Sequence, residues 1–132
     1  MTVAEIALRR GTEADVRGLT ELSKRCFAVP WRRRDFADEL QLAGGEIWLA
    51  ETPLALLGYL VVRRMLDPTG RADELEVLSL GVDSSGRRRG VAGTLLERAV
   101  RRSTSPTLVH LEVREGNHAA RASYRTLQFE EV

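Results

Sequence analysis

Arg87-Arg88-Arg89-Gly90-Val91-Ala92 lies between an apolar stretch ending at Val82 and an amphipathic stretch running to Val100. The order strand, polar glycine-containing loop, helix brings backbone N–H groups and three cations to a helix N-terminus. Such a terminus carries about half a positive charge and up to four unpaired donors, which makes it an anion site. Arginine adds bidentate donors whose geometry matches phosphate. The chemistry open to this loop is the binding of a phosphate or pyrophosphate. Taken alone, an arginine run in a loop is more often a solvated surface than a phosphate site.

Two phosphate motifs are excluded. The stretch 81–88 (GVDSSGRR) has the glycine spacing of a P-loop but lacks its lysine and the Ser or Thr that follows. Gly90-Val91-Ala92-Gly93 does not supply the G-x-G-x-x-G of a dinucleotide fold.

The elements that must position the loop follow from periodicity. Ala4, Ile6 and Leu8 alternate with polar residues and predict a first strand. Thr12 and Asp15 form a capping-box pattern with aspartate at its last position, ahead of Val16, Leu19, Leu22 and Cys26 at helical spacing. Pro30-Trp31 interrupts that pattern, and Arg32 to Leu42 resumes as a second helix with Phe36 and Leu40 inward. Gly44-Gly45 closes it in the usual place for a left-handed cap. Residues 46–51 and 56–63 read as strands joined through Thr52-Pro53, and Asp67-Pro68-Thr69-Gly70 as a turn. A largely apolar strand follows over 75–82. Beyond the arginine loop, Val91, Leu95, Leu96, Ala99 and Val100 mark one helix face. A strand over 107–113, a helix from Asn117 to about Leu127 and a terminal strand stub over 129–132 complete the pattern. The order β-α-α-β-β-β-α-β-α-β predicts one mixed α/β domain over 1–132.

Composition narrows the class. The chain has 132 residues, 43% of them apolar and 30% charged, and its formal net charge is +1. Near-neutral charge with 5% aromatic residues argues against a nucleic-acid surface, even with arginines at 32–34, 87–89 and 101–102. The longest apolar run, near 54–62, is far short of a membrane span, and the N-terminus lacks the apolar core of a signal peptide. Cys26 is the single cysteine, so no disulfide framework exists. The histidines His110 and His118 are not spaced as a metal pair. The expectation is a cytoplasmic protein with neither a metal nor a membrane or nucleic-acid partner.

The ordered set of segments resembles the GNAT superfamily of N-acetyltransferases, whose Q/R-x-x-G-x-G/A loop grips the pyrophosphate of acetyl-CoA. Within it the chain is most similar to the RimI-type enzymes, which acetylate the N-terminal alanine of a small-subunit ribosomal protein. Phe27-Ala28-Val29-Pro30-Trp31 resembles the family's F-x-x-P-W. Residues 74–82 (ELEVLSLGV) resemble its fourth strand, and Arg87 to Ala92 its phosphate loop. Leu111-Glu112-Val113-Arg114, Asn117, Ala119-Ala120 and Tyr124 resemble its L-E-V-R-x-x-N-x-x-A…L-Y segment. The likeness runs from about residue 5 to 131.

The resemblance implies acetyl-CoA as cosubstrate. It places the pyrophosphate on Arg87, Arg88, Arg89, Gly90, Val91, Ala92 and Gly93, and the pantetheine arm along Leu80, Gly81 and Val82, where strands four and five splay apart. A local backbone N–H would stabilise the oxyanion. Glu112 matches the family's base, Tyr124 its acid and Asn117 a cofactor-contacting asparagine. Read without the resemblance, a residue like Glu112 is more often a solvated strand charge, one like Tyr124 more often core packing with its hydroxyl at the rim, and Asn117 fits a helix N-cap and a ligand equally. A base of this kind favours an α-amine. Deprotonating one with pKa near 8 at pH 7 costs about 1.4 kcal/mol, against about 4.6 for lysine.

Three departures bear on these expectations. Ala92 stands where RimI-type relatives usually have glycine, and Gln128 replaces the glycine of L-G-F before the sixth strand. The family pattern continues into a seventh strand, whereas this sequence stops at Val132. Either the sixth strand moves in beside the fifth, or an open sheet edge remains that could pair with a second copy. The acceptor implied by the resemblance is a protein N-terminus, such as that of a ribosomal protein. Lysine, a small-molecule amine, or cofactor binding without turnover are the competing readings.

Overall fold

The structure is a computed structural model that describes residues 5–66, 68–69, 72–103 and 107–132. The elements are β1 (Ala7–Arg10), α1 (Val16–Cys26), α2 (Arg33–Gln41), β2 (Gly45–Glu51), β3 (Leu56–Leu66), β4 (Ala72–Val82), α3 (Val91–Arg101), β5 (Leu108–His110) and α4 (His118–Thr126). Short 3-10 turns at Glu13–Asp15 and Ser84–Gly86 precede α1 and the arginine loop. The five strands lie in sequence order, antiparallel except for the parallel β4–β5 pair that α3 connects. This is the mixed α/β sheet expected.

Local signals account for the element ends. The Asp15 carboxylate accepts the Thr12 backbone N–H at 2.8 Å, and Asp35 accepts that of Arg32 at the same distance. Each thereby uses a donor that the start of a helix leaves unpaired. Gly44 has φ +84, and a Cβ there would lie 2.2 Å from the Arg64 carbonyl oxygen. Thr52 and Ala55 close the β2–β3 connection through reciprocal backbone bonds. Of the expected turn at 67–70, Asp67 and Gly70 lie outside the described residues, as does Ala4 of the first strand.

The sheet is covered on both faces, which explains why β2 reads as an unbroken apolar run. Ile47 and Leu49 join Leu19, Leu22, Phe36, Tyr59 and Val61 beneath α1 and α2. Trp48 and Ala50 join Leu60, Val62, Leu75, Leu95 and Ala99 beneath α3. Each such fully buried side chain contributes roughly 1.5–3 kcal/mol relative to its exposed state.

Two expectations fail at the C-terminal end. β5 pairs only over Leu108–His110, rather than 107–113. The stub at 129–132 is not a strand. Gln128 adopts φ +71 and turns the chain back onto α4. The Phe129 N–H donates to the Tyr124 carbonyl, and Glu131 pairs with Arg121 and Arg125. The terminal residues fold back on α4 without joining the sheet as a strand, while Phe129 packs against the core on the α3 face. Among the described residues, no strand pairs with the outer edge of β5.

Candidate active site

β4 carries the first part of the site. Its pairing with β3 shifts register between Val61, opposite Ser79, and Val62, opposite Val77, so Leu78 has no cross-strand partner. This β-bulge reverses the side-chain alternation. Leu75 and Val77 face α3, Leu78 and Ser79 both face α1–α2, and Leu80 and Val82 face α3 again. On its other side β4 pairs with β5 only from Glu74 to Glu76. From Val77 to Val82 that edge has no strand beside it among the described residues, so the pairing of β4 with β5 ends before Leu80 to Val82.

Leu80, Gly81 and Val82 therefore line an open strand edge. Gly81 is fixed by close approach: a Cβ would meet the Tyr59 ring at 2.7 Å and the Phe27 ring at 3.3 Å. The Val82 carbonyl accepts from the Cys26 thiol at 3.5 Å. Burial pushes that thiol's pKa up, against a smaller opposing effect of Arg87.

The arginine loop continues directly from this edge. Asp83 accepts from the Ser85 N–H and hydroxyl and pairs with Arg25 at 3.0 Å, which ties the loop to the end of α1. Those contacts, Ser85 first, hold the Asp83 carboxyl below the usual carboxylate range. Arg88 (φ 64) and Gly90 (φ 72) are both left-handed. Such residues in a turn aim successive N–H groups into one concavity, a geometry that holds anions. Among the described residues, the N–H groups from Arg88 to Gly93 donate to no protein carbonyl; the first that does is Thr94, to Gly90 at 3.0 Å. Arg87, Arg88 and Arg89 are exposed and have no ion-pair partner among the described residues. Buried Val91 and Leu95 anchor the helix behind them. The loop thus offers a row of free amides under three free guanidinium groups, enough to hold a pyrophosphate.

The remaining predicted residues lie on the segment after β5 and on α4. Glu112 lies two residues beyond β5, exposed and unpaired among the described residues. Tyr124 is half-buried on α4, its ring edge-on to Phe129 at 5.5 Å. Burial first, and Tyr59 second, raise its hydroxyl pKa above the ordinary phenol value. Asn117 caps α4, its Oδ1 accepting the Ala120 N–H at 3.1 Å. Beside the splay, on the α1–α2 side, runs an open groove of about 1040 Å³. Its walls are Ala28 to Arg32, Asp35, Asp38, Glu39 and Leu42, with Arg63 and Leu78 from the sheet. Arg63 and Glu39 form an ion pair there. Sequence reasoning missed Tyr59, Ser23 and Ser79, whose hydroxyls meet beneath this groove. Their signal was faint: single polar groups inside apolar runs.

An unpaired strand edge beside a bulge leads into a loop of free amides at a helix N-terminus, the arrangement of a protein class that binds a phosphate-bearing ligand along a strand. The sequence pattern of the acetyltransferase (GNAT) family matches residues 16–129, and the chain belongs to that family. It is an acetyl-CoA-dependent N-acetyltransferase. It is 34% identical over 125 residues to the N-alpha-acetyltransferase RimI of Mycobacterium tuberculosis, covering 92% of this chain and 76% of that protein. Among solved structures, the ribosomal-protein-S18-alanine N-acetyltransferase of Escherichia coli superposes with TM-score 0.78 at 23% identity, over 97% of this chain and 79% of that one. NAA60 of Arabidopsis thaliana, solved in complex with acetyl-CoA, superposes with TM-score 0.76 at 21% identity, over 97% and 86%. Among the described residues no helix is long and apolar enough to cross a membrane.

Proposed function

We propose that this enzyme acetylates the N-terminal α-amine of a protein, in the manner of the RimI-type enzymes. The observation that carries this reading is the 34% identity, across 92% of the chain, to a protein named as an N-alpha-acetyltransferase. The free amides from Arg88 to Gly93 and the guanidinium groups of Arg87, Arg88 and Arg89 take the pyrophosphate of acetyl-CoA. The pantetheine arm pairs with the open edge at Leu80, Gly81 and Val82. A β4 backbone N–H left free by the splay holds the oxyanion as the amine attacks the thioester carbonyl. Glu112 removes the proton from the amine, directly or through a water, and Tyr124 protonates the departing thiolate. Asn117 keeps its capping role and borders the cofactor. The groove beside Trp31 receives the acceptor chain, which a ribosomal protein could supply.

The test is mass spectrometry of a peptide that begins Ala-Arg, with a free α-amine and one internal lysine, after incubation with enzyme and acetyl-CoA. Fragmentation is expected to place the acetyl group on the α-amine. Acetyl on the lysine alone, or on neither, would overturn this acceptor assignment.

A further inference from the structure

A buried chain of hydroxyl groups crosses the α1–α2 side of the sheet. Tyr59 on β3 and Ser23 on α1 are 0% exposed, and Ser79 on β4 is 9% exposed. The Tyr59 hydroxyl donates to Ser23 Oγ at 3.2 Å and lies 2.7 Å from Ser79 Oγ. Ser23 Oγ also accepts the backbone N–H of Trp31 at 2.9 Å. A phenol has one proton, so with that proton on Ser23 the Ser79 hydroxyl must donate to Tyr59. The bonds then run in one direction, from β4 through β3 to α1, and meet the Trp31 amide there.

Stability alone does not account for this arrangement. The surrounding layer is Leu19, Leu22, Phe36, Ile47, Leu49 and Val61, in which phenylalanine for Tyr59 and alanine for Ser79 would carry no desolvation cost, whereas Ser23 also serves the Trp31 amide. Buried hydroxyls recover that cost only through their bonds, so the network has value for what it holds in place. Its two ends are informative. Trp31 stands in the wall of the groove. Ser79 faces this layer only because of the bulge, and it immediately precedes the open edge at Leu80 to Val82. The bulge beside the open edge and the loop that walls the groove are fastened to the same phenol, the latter through Ser23.

We infer that Tyr59, with Ser23 and Ser79, is a positioning network that fixes the groove wall at Trp31 relative to the bulged strand, and so sets the acceptor amine against the thioester. This rests on the acceptor using that groove, as proposed above. None of the three side chains touches a substrate.

The experiment is steady-state kinetics, with both substrates varied, on Tyr59→Phe, Ser79→Ala, the double variant and Ser79→Thr. Each of the first two is expected to lower kcat/KM for the acceptor by about tenfold, the scale of one lost hydrogen bond. The double variant is expected to lose no more than either single one, because the residues act as a unit. KM for acetyl-CoA should stay unchanged, and Ser79→Thr should restore the acceptor value. Wild-type acceptor kinetics in Tyr59→Phe, multiplying losses, or an equal rise in KM for acetyl-CoA would each overturn the inference. Hydrogen exchange at the Trp31 amide reads the network without turnover. It should quicken in Tyr59→Phe and Ser79→Ala while amides of α3 do not change. If the wild-type enzyme acetylates no peptide, the acceptor assignment fails separately, and unchanged Trp31 exchange would then reject the network.

Discussion

At the scale of single residues, backbone strain and free polar groups separate function from packing. Arg88 is left-handed without being glycine, a conformation that costs about 1–2 kcal/mol and persists where surrounding structure demands it. Gly44 shows the structural counterpart. Gly44→Ala should cost about 2–4 kcal/mol in urea unfolding, because both its φ and the Arg64 carbonyl exclude a Cβ. Glu112 predicts the opposite behaviour. It is exposed and unpaired among the described residues, so Glu112→Gln should change stability by less than about 0.5 kcal/mol. In the proposed mechanism it should still lower kcat on the order of a hundredfold. Calorimetry alongside a kinetic assay checks both halves. Asn117→Ala should cost about 1 kcal/mol through loss of the α4 cap.

At the scale of elements, α3 is held at both ends. Its N-terminus presents the free amides, and its C-terminus is clamped by a buried ion network. Arg64 donates to the Ala99 carbonyl at 2.8 Å and to Ser103, and twice to Glu46. Glu46 also accepts from Trp48 at 3.1 Å and Arg102 at 2.7 Å. With Glu46 2% exposed and Arg64 7%, removing one partner leaves the other buried and uncompensated. Glu46→Ala should therefore destabilise the fold by about 3–5 kcal/mol, measured by denaturant unfolding. Strong loss of stability with retained acetyl-CoA affinity in the folded fraction is the expected pattern. At the other end of the chain, α4 has no fully buried residue, and Tyr124 and Phe129 hold the final turn against each other.

At the scale of the whole molecule, a net charge of +1 conceals many specific ion pairs, and these set the response to acid. The Asp15 carboxyl is held below its usual value by Arg9, and Asp83 by Ser85 and Arg25. Burial pushes Glu46 up, but Arg64, Trp48 and Arg102 outweigh it and the net shift is downward. Arg121 and Arg125 push Glu131 down to about 2. A depressed carboxyl is charged in the folded state while the unfolded chain binds protons first, near pH 4. The stability these groups supply is thus complete above the unfolded values and is lost as pH falls through the folded ones. Urea midpoints should be flat from pH 7 to about pH 5 and decline below it.

Periodicity and turn chemistry by themselves determined nearly all the element order, because each element here carries its own signal. Thr12 with Asp15 caps a helix, Gly44 makes a left-handed stop, and alternation along β2 and β3 fills two faces at once. The strand–loop–helix conformation of the candidate phosphate loop was legible for the same reason: a strand, a glycine and a helix start are local. The bulge at Leu78 and the Tyr59 hydroxyl chain were not legible, and the splay beyond Glu76 was expected only through the family resemblance. Each depends on which strand lies alongside, and residues distant in the chain decide that. Gln128 was visible as a departure, but only the packing of Phe129 on Tyr124 and the pairing of Glu131 with α4 turned the expected last strand into a folded-back tail. Sequence fixed the local conformations. Tertiary contact decided where the sheet opens, since an unpaired strand edge is a relation between strands and has no local code.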